Sequence, residues 1–204
     1  MGLHRYNLLK GKNYQFICVK KYHCRLIMAA NSYFITLVAM DPSTSLLQTF
    51  QTRIDEGQLA AFVLKCNISR IRGETNKFDG GTCYFPGNMP EWPTEDPFDE
   101  GKRFYVLNNS EMQDNDWVRL YLELAVAKYR SDKKDPDLSN LKIVNVAIDI
   151  QDLNEGVNAK NATVYISYKD EARVGKDVDR IAIARRNFVE RTGCFSLMVK
   201  HQSL

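Results

Sequence analysis

With 204 residues, 44% of them hydrophobic, the chain can bury one or two cores, and its scarce Gly and Pro and mixed charge exclude a disordered polymer. A net charge of +3, from 28 basic and 25 acidic residues, is too balanced to mark a nucleic-acid surface. Five cysteines without ligand spacing and three histidines assemble no zinc template, so the thiols are expected to be free and the compartment reducing.

The N-terminus lacks the apolar core of a signal peptide, so the chain reads as intracellular, cytoplasmic or nuclear. Residues 1–12 carry a short helix-like patch that ends at Gly11. From Tyr14 the hydrophobic period changes to two. One strand runs to Met28, and Ala29-Ala30-Asn31 turns the chain into a second strand over Tyr33 to Ala39. After the turn at Asp41-Pro42-Ser43, a third strand places Leu46, Phe50 and Ile54 inward. A fourth alternates from Ala60 to Ile68, and the four make an antiparallel meander.

Residues 70–103 break this rhythm with Gly73, Gly80, Gly81, Gly87 and four prolines, and with five acidic residues between Glu91 and Glu100. This is a linker, and Trp92 and Phe98 are expected to dock part of it. A short strand over 103–107 leads to the helix Trp117 to Arg130, which is rich in helix formers and too short and too polar to span a bilayer. Ser110 and Gln113 offer a capping box, Arg119 and Glu123 an ion pair one turn apart, and Trp117, Leu120, Tyr121 and Leu124 a face for a sheet. Four more strands follow, at 144–150, 164–168, 181–184 and 195–199.

Helix then four strands is thus the order in both halves, which predicts an α+β fold of two units, each a helix packed on a four-stranded antiparallel sheet. The expected boundaries are 1–69 for the first unit, 70–103 for the linker and 104–204 for the second.

The runs Leu3-His-Arg-Tyr-Asn-Leu-Leu9, Tyr33-Phe-Ile-Thr-Leu-Val-Ala-Met-Asp-Pro42, Met89-Pro-Glu-Trp-Pro93 and Asp116-Trp-Val-Arg-Leu-Tyr-Leu-Glu-Leu-Ala125 resemble a crucifer family grouped with the cystatin/monellin superfamily. That family includes a male-sterility protein acting in meiosis. Residues 2–69 are also similar to plant cystatins, which implies two cystatin-like units, the first with a truncated helix. Inhibition of papain-like proteases, the activity this resemblance implies, needs a Gln-x-Val-x-Gly hairpin and a Pro-Trp hairpin. Here the first reads Leu26-Ile27-Met28-Ala29-Ala30, and the second, Asp55 to Gln58, lacks Pro-Trp. The Gly matters because a backbone approaching a protease closely needs a conformation that Ala resists.

No nucleophile elbow, phosphate loop, dinucleotide fingerprint or metalloprotease motif occurs, so no catalytic, cofactor or metal residue is assigned. Cys83 reads as an ordinary loop thiol, and the acidic cluster as a solvated linker. Lys20-Lys21 and Arg185-Arg186 read as basic edges that discourage strand–strand aggregation. The expectation is a non-enzymatic protein-interaction module with a protein partner and neither nucleic acid nor membrane, in plant reproductive development. The alternative is a cystatin-like cysteine-protease inhibitor. Candidate contact residues are Leu26, Ile27, Met28, Ala29, Ala30, Trp92 and Phe98.

Overall fold

Helix α1 (Gly2–Lys10) ends where Gly11 takes the left-handed conformation, φ 58° and ψ 40°, that favours glycine as a helix stop. The computed structural model describes residues 1–27, 30–58, 62–75, 88–99, 103–130, 136–150, 153–171 and 178–202. Four long strands follow the helix: β1 (Gln15–Ile27), β2 (Ala30–Met40), β3 (Leu47–Gln58) and β4 (Phe62–Ile71). The second half runs β5 (Phe104–Val106), α2 (Asn109–Asp114), α3 (Asp116–Tyr129), β6 (Leu141–Asp149), β7 (Ala162–Asp170), β8 (Arg180–Val189) and β9 (Cys194–Gln202).

The strands form one nine-stranded antiparallel sheet in the order β1-β2-β3-β4-β9-β8-β7-β6-β5. This overturns the expected α+β pair of cystatin-like units, each a helix on its own four-stranded sheet. Two features of the topology account for the difference. β5 precedes the long helix yet pairs with β6, Phe104 opposite Asp149, so the second set of strands is not simply the four that follow a helix. β9 then lies between β4 and β8, which joins the two sets. Hydrophobic alternation fixes which residues share a face, but it does not name the neighbour on a strand's second edge.

By compactness the chain divides into one unit of residues 1–86 with 187–197 and another of 87–186 with 198–204. In the first, α1 lies so close on β3 that a Cβ at Gly2 would come within 2.1 Å of Thr52 Oγ1. Its core holds Leu3, Tyr6, Leu37, Ala39 and Phe50, and the rings of Tyr6, Tyr14 and Phe50 meet edge to face at 4.9–5.9 Å. Arg5 is buried, and its Nε donates to the Gly193 carbonyl at 2.7 Å. Burial holds its pKa below the usual guanidinium value.

In the second unit, the capping box falls two residues before the expected Ser110. Asn108 accepts from the Glu111 backbone while the Glu111 carboxylate accepts from the Asn108 backbone, both at 2.9 Å. The expected Arg119–Glu123 pair forms at 2.6 Å. Cys18, Cys24 and Cys66 are free, but Cys194 is disulfide-bonded. The expectation of free thiols throughout is corrected there, because spacing along a chain does not say which sulfurs meet in space.

Candidate interaction site

Strand β1 ends the sheet, and among the described residues no strand pairs with its outer edge. Its register with β2 separates its two faces. Phe16, Val19 and Tyr22 stand opposite Ala39, Leu37 and Ile35, the β2 residues that pack under α1. Lys21, His23 and Arg25 stand opposite Thr36, Phe34 and Ser32 on the other face. Directly opposed residues share a face, so β1 has one apolar and one basic side.

The apolar side is uncovered. Phe16 and Val19 are about half exposed, and Tyr22 and Leu26 are 70% exposed. Helix α1 packs chiefly on β3 and β4, two and three strands further in, so it does not lie over β1. Burying such side chains is worth about 1.5–3 kcal/mol each to whatever covers them.

Two register shifts, between Phe16 and Cys18 and between Val19 and Lys21, leave Ile17 and Lys20 out of the pairing. Such bulges and edge lysines deter a neighbouring strand over the first half of β1. Residues 21–27 show no such shift; each pairs in turn with one of residues 36 to 30. This half of the edge is regular and open.

Charge on this surface is one-sided. Strands β1 and β2 hold Lys20, Lys21 and Arg25 and no Asp or Glu. The carboxylates two strands away are engaged: Asp55 accepts from Ser32 Oγ at 2.6 Å and Arg53 Nε at 2.9 Å, and Glu56 accepts from Asn31 Nδ2 at 3.0 Å.

Of the sequence candidates, Leu26 lies at the open end of β1, and the backbones of Ile27 and Ala30 pair to close the hairpin. Met28 and Ala29 lie outside the described residues. Cys83 and Glu100 do so as well.

Trp92 and Phe98 lie apart from these, in the second unit, where residues 88–99 pack on the sheet. Trp92 meets Tyr165 edge to face at 5.3 Å and Phe98 at 5.9 Å, beside the buried Phe104, Ala147 and Ile183. Burial pushes the Tyr165 phenol up, with Asp149 adding to the effect. The two aromatics border a cleft of about 520 Å³ with Glu95, Asp96, Asn145 and Asp179. Its charge is largely answered from outside, since Glu95 pairs with Arg103 at 3.5 Å and Asp179 with Lys169 at 3.9 Å. The docked aromatics spend much of their surface on packing, whereas β1 spends little. Sequence reasoning missed Phe16, Val19 and Tyr22 as contact residues because they fall three apart, and strict alternation does not put them on one face without the two register shifts.

The family model described as Protein MS5 matches residues 89–197. UPF0725 protein EMB2204 from Arabidopsis thaliana is 41% identical over 207 residues, covering 97% of this chain and 63% of the relative, so this chain spans less than two thirds of that protein. UPF0725 protein At3g25080 from the same plant is 50% identical over 167 residues, covering 79% of this chain and 94% of the relative. The crystal structure of MS5 from Brassica napus superposes with a TM-score of 0.74 at 31% identity, covering 100% of this chain and 94% of that one.

Proposed function

The chain belongs to the plant family described as Protein MS5, and we propose that it serves there as a non-enzymatic protein-interaction module in reproductive development. The observation that carries the reading is the uncovered apolar side of β1, where Phe16, Val19, Tyr22 and Leu26 stand exposed along one strand that ends a sheet. Exposed apolar surface of this continuity marks a partner surface. The reproductive role rests on the resemblance to a family with a male-sterility protein, and this chain's sequence motifs for catalysis are lacking. Protease inhibition drew its support from the resemblance of residues 2–69 to plant cystatins, whose two inhibitory hairpins are altered here at Leu26 and Ala30 and over Asp55 to Gln58.

A photo-crosslinking residue at Tyr22 is expected to yield one discrete adduct in flower-bud extract, and the same residue at the exposed Val178 none. Equal labelling from both positions, or none from either, would remove β1 as the partner surface.

A further inference from the structure

We infer that residues 21–27 of β1 receive an extended acidic segment of a partner protein, added as the next strand of the sheet. This rests on the interaction reading above and names its chemistry. Three features of the edge select the occupant.

The first is the backbone. Over residues 21–27 the strand is regular, so every second N–H and C=O on its outer side points away from β2 in the spacing that another strand's backbone fits. The second is the division of faces. Tyr22, Cys24 and Leu26 lie on one side and Lys21, His23 and Arg25 on the other, and an added strand alternates its side chains with the same period. The complementary segment therefore alternates apolar residues with Asp or Glu. Its apolar side chains lie beside Tyr22 and Leu26, and its carboxylates lie beside Lys21 and Arg25. The third is the charge of the surroundings: β1 and β2 carry no carboxylate that would repel such a segment, and Asp55 and Glu56 on β3 are engaged by Ser32, Arg53 and Asn31.

The same features disfavour other occupants. A second copy of this chain would bring Lys20, Lys21 and Arg25 again, with no acidic residue between Gln15 and Ile27 to meet them. A nucleic-acid strand needs cations and exposed rings on one face. Here the most exposed ring, Tyr22, lies on the opposite face from Lys21 and Arg25, and on the basic face the Arg53 guanidinium already lies over the Phe34 ring at 5.5 Å, which leaves His23 as the other ring there.

The test is fluorescence anisotropy of the full chain with labelled peptides of about ten residues, long enough for one strand. One alternates Glu and Val, one Thr and Val, and one Lys and Val. Two further Glu–Val peptides are N-methylated on either all the Glu or all the Val residues. The expected result is binding of the Glu–Val peptide at least about tenfold tighter than the Thr–Val peptide, and no detectable Lys–Val binding. One N-methylated isomer should lose binding by about tenfold or more while the other keeps it, because alternate amides face opposite edges. The double variant Lys21→Glu with Arg25→Glu should reverse the preference and take the Lys–Val peptide. Circular dichroism of that variant, changed only at exposed side chains, should match the parent chain.

Equal binding of both N-methylated isomers would overturn strand addition and leave charge attraction alone. Equal binding of the Thr–Val peptide would overturn the acidic class. A concentration-dependent dimer in sedimentation, abolished by the double variant, would assign the edge to a second copy instead. If no peptide binds while the Tyr22 adduct persists, this inference fails and the interaction reading stands. If the adduct is absent too, both fail.

Discussion

Replacing Asp170 with Asn is expected to destabilise the protein by about 3–5 kcal/mol, read from the midpoint of denaturant unfolding. Asp170 ends β7 and receives a hydrogen bond from Arg130, which closes α3. The two side chains are only 2% and 7% exposed. Arg130 also donates to the Asp137 carbonyl at 2.6 Å, so its guanidinium is held in place whether or not the carboxylate is there. The Asn variant would then leave a buried cation without its counter-charge, and that stranded charge is the source of the cost. Changing both residues to apolar ones of similar size, Arg130→Met with Asp170→Leu, should recover stability to within about 1 kcal/mol of the parent. A loss below about 1 kcal/mol for the single Asn change would show that water reaches the pair.

Arg186→Ala is expected to be of the same order, about 3–5 kcal/mol, from a cavity and a carbonyl left without a donor. The Arg186 side chain is buried on β8. Its guanidinium lies 4.6 Å from the Trp117 ring centre, and Nη2 donates to the Val157 carbonyl at 2.9 Å. Burial lowers the Arg186 pKa, and burial pushes the neighbouring Tyr121 phenol up to about 12 against the pull of the cation. Arg186→Lys should recover less than half of the loss. A compact ammonium cannot lie flat over an indole ring as a planar guanidinium does. Equal stability of the Lys variant and the parent would show that charge alone matters at this position.

These two arginines also show where sequence reading stopped. Arg185 and Arg186 read alike as basic edge residues. The structure leaves Arg185 only partly covered, donating to the Asn88 carbonyl, and buries Arg186. A cation's burial depends on which ring and carbonyl the fold brings above it, and nothing local in the sequence records that. The strands themselves were legible, because alternation has one period and each turn carries its own residues. The rotation of α3 was less so. Trp117 and Tyr121 face inward as expected, but the buried stripe continues through Val118, Leu122, Ala125 and Val126, and Leu120 and Leu124 are only partly covered. A helix apolar around most of its circumference does not set its own phase. Here Arg119, on its polar side, donates to the Leu138 and Leu141 carbonyls at 2.7 and 2.6 Å.

The candidate surface was half legible for a related reason. Leu26 belongs to the sequence reading through the cystatin-like hairpin, while Phe16, Val19 and Tyr22 fall three apart and share a face only because of the two register shifts. That face is exposed because α1 packs chiefly on β3 and β4 rather than over β1. The lysines at 20 and 21 read as an edge guard, and the register shifts beside them fit that role over the first half of β1. The guard ends where the regular pairing of residues 21–27 begins.

The most direct measurement is amide hydrogen exchange of the full chain with and without the Glu–Val peptide. New protection should be confined to β1 over residues 21–27 and fall on alternate amides, those on its outer edge. Protection centred on residues 92–98, or no change along β1, would contradict the assignment of this edge as the partner site.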